Sequence, residues 1–165
     1  MIVGAPEGKR LAELSIAVRD STIRRLRLVP AGSENWRIES DSMSFADLAQ
    51  HIIDADEWLF RMLETKNLSP VRGIAGLADV NNRDEYIKLI TDLKRTGQIR
   101  EGLLEGLSEE HLTEMIHDER FGGRVSAWWI IVRGNLDYET HHRGQIAAYL
   151  RMLHAKNEVG TEVTE

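Results

Sequence analysis

Few breaks and a persistent three-and-four spacing of apolar residues constrain this chain more than any other feature. Only three prolines occur in 165 residues, and a proline inside a helix removes a hydrogen bond and clashes with the preceding turn. Leu11, Leu14, Val18, Thr22, Leu26 and Val29 keep helical spacing, which predicts a first helix from about Lys9 to Leu28, halted ahead of Pro30. A second helix is marked at its start by Ser44, with Asp47 three residues on where a capping box usually places Glu. Its stripe is Phe45, Leu48, Ile52, Ala55, Leu59 and Met62, ending near Lys66.

Asn67–Asn81 holds Pro70, Gly73 and Gly76 and reads as a long crossover. Tyr86, Ile90, Leu93, Ile99 and Leu103 predict a third helix over about Arg83–Leu107, weakened by Gly97 and Gly102. Ser108 starts another helical turn, and Gly122–Gly123 turns a short hairpin. The last helix is expected from about Ser126 to His154, with a polar tail over 156–165 that frays. Four long helices with one long crossover make this an all-α chain, a four-helix bundle forming one domain over 1–165.

Composition narrows the chemistry. The chain has no cysteine, so any metal ligand must be histidine, carboxylate, phenolate or water. A net charge of -6 and a pI near 5.6 argue against a nucleic-acid surface. The one basic cluster, Ile23–Leu28, fits a helix wetted on one side. The opening "MIVGAPEGKR" lacks a signal-peptide apolar core and no window is long enough to cross a membrane, so a cytoplasmic location is expected.

At ~100° per residue, Trp128, Ile131, Val132, Ile146, Tyr149, Leu150 and Leu153 define the apolar face of the last helix. Asn135, Glu139 and His142 fall inside that face, with Tyr138 and Gln145 on its edge and His141 aside. On the second helix His51 sits at the margin of the stripe, with Asp47 and Asp54 toward solvent. Two helices thus send an imidazole toward the interior, where an unpartnered polar group costs ~2–7 kcal/mol. A divalent ion satisfies them, with His51 and His142 as ligands and Glu139 or Tyr138 as a third. The plainer readings are a hydrogen-bonded core histidine, a Glu139–Arg143 pair and a Gly144 close helix contact. His111 and His117 read as surface, and the four tryptophans as core or interface anchors.

"HHRGQIAAYLRML", preceded by Glu139 and joined to the upstream "SFADLAQHIIDADEWLF", resembles the DinB/YfiT-like superfamily of metalloenzymes. The resemblance covers most of the chain in helix order. It implies an up-down-down-up bundle, often homodimeric, with a divalent ion on three histidines: one from the second helix and an i,i+4 pair from the last. It also implies thiol-dependent transferase or isomerase chemistry on small molecules. In this chain the ligands fall on His51 and His142, but the first member of the pair is Tyr138. A phenol is normally protonated at neutral pH and competes poorly for zinc or nickel.

The expectation is therefore a metal-dependent hydrolase or thiol-dependent transferase acting on a small molecule. Its ion is Ni, Zn, Fe or Mn, held by His51, His142 and Tyr138, and Tyr138 or Glu139 relays protons. The alternative is a non-catalytic, metal-free bundle that binds a small molecule or partner. A homodimer is expected because Trp58, Phe60 and Trp129 do not all fit one core stripe.

Overall fold

A computed structural model of the chain describes residues 6–66 and 72–162; the part of the expected crossover at 67–71 lies outside the described residues. Helix α1 runs Glu7–Leu26 and α2 runs Phe45–Thr65. Ser44 caps α2 by accepting from the Asp47 amide while the Asp47 carboxylate accepts from the Ser44 amide, so the box closes with the shorter acid. Asp47 also accepts from the amides of Gly76 and Ala78, tying the crossover to the helix start. Helix α3 spans Arg83–Glu105, capped by Asn82. The single turn α4, Glu109–Thr113, leads into strand β1 (Met115–Asp118), which pairs antiparallel with β2 (Gly123–Ser126). The expected hairpin forms around Gly122–Gly123.

After Ser126, which caps α5, the chain stays helical to Glu162 as α5 (Ala127–Ile131), a π turn (Val132–Leu136) and α6 (Asp137–Glu162). The helix thus carries past the His154 end expected from sequence; residues 163–165 lie outside the described residues. Contacts fix the directions. Glu7 meets Trp128 and Arg19 meets Glu139, so α1 and α6 are parallel. Gly8 lies against Leu104 and Leu107 while the Tyr86 hydroxyl donates to the Leu26 carbonyl, so α1 and α3 are antiparallel. Phe45 meets Tyr149 and Ala55 meets Asn135, so α2 opposes α6. This is an all-α bundle in up-down-down-up order.

The core is split. One apolar half gathers Ile23, Leu26, Phe45, Leu48, Tyr86 and Ile146. The other gathers Leu11, Trp58, Leu59, Leu112, Ile116 and Ile130. Fully burying one such side chain stabilises by roughly 1.5–3 kcal/mol, so both halves hold the bundle, and the layer between them is polar.

The π turn corrects one sequence expectation. Trp128 and Val132 were placed on the buried face, but both are only half-buried, whereas Ala127, Ile130, Ile131 and Gly134 are buried. Downstream Leu136 is buried within the π turn, and a buried row runs through Asn135, Glu139, His142, Ile146 and Leu153. Each set keeps helical spacing, but the second is displaced by one residue. A π turn holds one residue more than an α turn and absorbs that displacement.

Candidate functional site

The polar layer contains two neighbouring constellations. The first is a four-charge lattice to which each long helix contributes one member: Arg19 from α1, Asp56 from α2, Arg100 from α3 and Glu139 from α6. None is more than 1% exposed. Arg19 donates to Glu139 Oε1 at 2.8 Å, Glu139 Oε2 at 3.0 Å and Asp56 Oδ2 at 2.6 Å. Its remaining hydrogens go to the Leu93 carbonyl and Thr96 hydroxyl. Arg100 donates to Asp56 Oδ1 at 2.9 Å and Glu139 Oε2 at 2.7 Å, and also reaches Ser15 and Asn135. Asn135 closes the group by donating to Asp56 and to the Ala55 carbonyl. Gly97 lets α3 approach: a Cβ there would stand 2.8 Å from Arg19 Cγ.

Burial alone would raise the Glu139 pKa, but the Arg100 and Arg19 charges overcome it and hold the carboxyl at about 2. Arg19 likewise keeps its proton against burial because Glu139 and Asp56 face it. This corrects two expectations. Glu139 pairs with Arg19 and Arg100 rather than Arg143, and a carboxylate bound through both oxygens by two guanidiniums is neither free to ligate an ion nor basic enough to relay protons. The sequence reading missed Arg19, Asp56 and Arg100. The signal was there, since Asp56 sits between Ile52 and Leu59 at helical spacing and Arg100 lies four residues from both Thr96 and Leu104.

The second constellation lies one turn along α6. His51, Tyr138 and His142 come together as expected. The His51 and His142 ring centroids are 5.0 Å apart, Tyr138 and His142 4.4 Å, and His51 and Tyr138 5.3 Å. His51 Nε2 is hydrogen-bonded to the Tyr138 hydroxyl. His142 Nδ1 lies 2.6 Å from Gln145 Oε1. Since that oxygen only accepts, the imidazole proton is assigned to Nδ1 and Nε2 carries a lone pair. The other nitrogens, His51 Nδ1 and His142 Nε2, are buried without a hydrogen-bond partner among the described residues.

Electrostatics keep this trio uncharged. Burial pushes His142 down to about 4, helped by the neighbouring imidazoles and opposed by Gln145 and Glu139. Burial also lowers His51, against the pull of Asp54. The Tyr138 hydroxyl is pushed up by burial, against the opposing charge of Arg120. At neutral pH the site therefore offers neutral imidazole and a protonated phenol. A cleft of about 10 Å³ beside His51, edged by Gln50, Asp54 and Arg72, leads toward the surface.

No group of three His, Cys, Asp or Glu side chains is placed to hold an ion among the described residues. A third donor from this trio has to be Tyr138. His141, His111 and His117 are exposed, and Gly144 is exposed with nothing near its missing Cβ, so it is no close helix contact. Trp58 is 2% exposed and belongs to the core, while Trp129 stays 40% exposed. No helix among the described residues is long and apolar enough to cross a membrane.

A family model described as the DinB family matches residues 7–159. The chain is also similar to a DinB-like protein, YjoA, from Bacillus subtilis. Its crystal structure superposes with a TM-score of 0.66 at 20% identity, over 87% of this chain and 91% of that one. At that identity the likeness is one of fold. No curated protein matches the chain.

Proposed function

The chain belongs to the DinB family, and from that premise we propose that it is a metal-dependent enzyme of hydrolase or thiol-transferase type acting on a small molecule. Its divalent ion would be held between α2 and α6 by His51 and His142, with Tyr138 as the third donor. The observation that carries this reading is His142 Nε2, a buried lone pair without a partner among the described residues, with His51 Nε2 held beside it only by the Tyr138 hydroxyl. Leaving such atoms bare is costly, and neutral imidazole lone pairs are what Ni, Zn, Fe or Mn accept. The residues present therefore fit an ion.

When bound, that ion would supply Lewis acidity, lowering the pKa of a water or substrate thiol. The protein's own groups do the rest. Gln145 fixes the His142 tautomer so that Nε2 presents its lone pair. The Tyr138 hydroxyl, against His51 Nε2, holds a proton at the site. Glu139 anchors the turn of α6 that carries Tyr138 and His142. The apolar half of the core behind His51 keeps bulk water away.

Calorimetric titration of chelator-treated protein with Ni²⁺, Zn²⁺, Mn²⁺ and Fe²⁺ tests the reading. Uptake of one ion per chain is expected, lost in His51→Ala and His142→Ala. No uptake, or uptake indifferent to both substitutions, would overturn it.

One observation favours a second reading, a metal-free bundle binding a small molecule in the same place. The direct bond between His51 and Tyr138 already satisfies one ligand nitrogen without an ion. That reading expects a melting temperature unmoved by EDTA or added metal. A homodimer is proposed under either reading on the exposed Trp129, which meets Phe121 edge-on; sedimentation as a monomer removes it.

A further inference from the structure

Arg120 lies in the short helical turn between β1 and β2, far from His51 in sequence, yet it reaches the place where the last helix changes register. Its guanidinium donates to Asp118 Oδ2 at 2.6 Å and Oδ1 at 3.0 Å, and Asp118 is itself buried. The same group lies 4.1 Å from the centre of the Trp58 ring, a cation–π contact. From there Nη1 reaches the Gly134 carbonyl at 3.3 Å, in the middle of the π turn.

Gly134 leaves the space for this. A Cβ at that position would stand 2.7 Å from Arg120 Nη2, so any side chain there would have to displace the guanidinium. Hairpin and π turn are thus fitted to each other through one guanidinium and one missing methyl. The register change at this point matters downstream. Without the extra residue, α6 would turn by about 100° relative to α5. Tyr138 and His142 would then leave His51.

We propose that Arg120 is a positioning residue: seated against Gly134, it latches the hairpin onto the π turn and so sets the angular phase that brings Tyr138 and His142 to His51. The inference rests on the reading that these three residues share one site. Arg120 itself touches none of the three in a hydrogen bond or ring contact among the described residues.

The test compares wild type with Arg120→Met, which keeps length but loses the fork and the charge, and with Asp118→Asn, which only loosens the tether. Imidazole nitrogen NMR of the metal-free protein reports the His51–Tyr138 and His142–Gln145 bonds, and Ni²⁺ titration reports the assembled site. In folded Arg120→Met the His51 resonance should lose its Tyr138 bond and Ni²⁺ affinity should fall by about 10–100-fold, as when outer residues orienting metal ligands are removed. Asp118→Asn should show the same change in smaller degree, and carries the test if Arg120→Met fails to fold.

A merely structural contact would lower the melting temperature and leave imidazole spectra and Ni²⁺ affinity unchanged; that result overturns the proposal. Should wild type take up no Ni²⁺, the metal reading fails, and the metal-free spectra still decide the latch.

Discussion

Two polar constellations share the middle of this bundle, and they are opposites. In the charge lattice two cations face two anions, and Arg19 alone makes five hydrogen bonds. In the imidazole trio, one turn away along α6, every group is neutral and two buried nitrogens lack a hydrogen-bond partner among the described residues. A saturated network resists change because removing any member strands a charge. An unsaturated one is open to a guest. The same low-dielectric layer therefore holds a structural part and a receptive part, and their neighbourhood through Glu139 and His142 lets the first hold the second in place.

The largest break in that contrast should come from Glu139→Ala. It leaves Arg19 and Arg100 facing Asp56 alone, and loss of about 3–5 kcal/mol is expected in denaturant unfolding, as for one partner of a buried ion pair. Replacing Arg19, Asp56, Arg100 and Glu139 together with apolar side chains of similar volume should cost far less and could stabilise. Such a variant should lose Tyr138–His51 alignment before it loses stability, measured by imidazole NMR beside thermal melts.

Acid should separate the two regions. His142 titrates at about 4 in the fold and near 6.5 unfolded, so between those values the unfolded chain holds more protons. Its contribution is whole above about pH 6.5 and is lost as pH falls toward 4. Glu139 titrates at about 2 in the fold and near 4.3 unfolded, so its contribution disappears only between about pH 4.3 and 2. Each step carries up to about 3 kcal/mol. Unfolding free energy measured across pH 8 to 2 should therefore descend in two stages, the first reduced in His142→Leu, where the lowered His51 still contributes.

The smallest expected effect is the most discriminating. His142→Leu removes one unpartnered buried nitrogen and one hydrogen bond, to the half-buried Gln145, so its stability at pH 8 should stay within about 1 kcal/mol of wild type while metal uptake disappears. A large destabilisation there would make His142 a structural residue and dissolve the contrast.

What the sequence discloses follows the same division. Helix spacing, the Ser44 cap and the Gly122–Gly123 turn are local signals, and each lies where its residues predict. His51 and His142 were legible because imidazoles on apolar faces are conspicuous. Arg19 and Arg100 were not, because a long charged side chain near an apolar stripe ordinarily reaches past it to water. Whether it does depends on carboxylates from other helices, which no single helix announces. The π turn escaped for a related reason: constant rotation per residue was assumed, and the inserted position is fixed by Arg120 from another element.

One consequence of the lattice concerns how the chain comes together. With a single charge on each of four rods, no assembly of three is electrically balanced. The antiparallel neighbours α1 and α3 both bring a cation to the shared layer. A bundle missing one rod must keep that layer flooded or leave an ion uncompensated. Expulsion of water is thereby deferred until the last rod docks, which favours an all-or-none collapse over stepwise accretion.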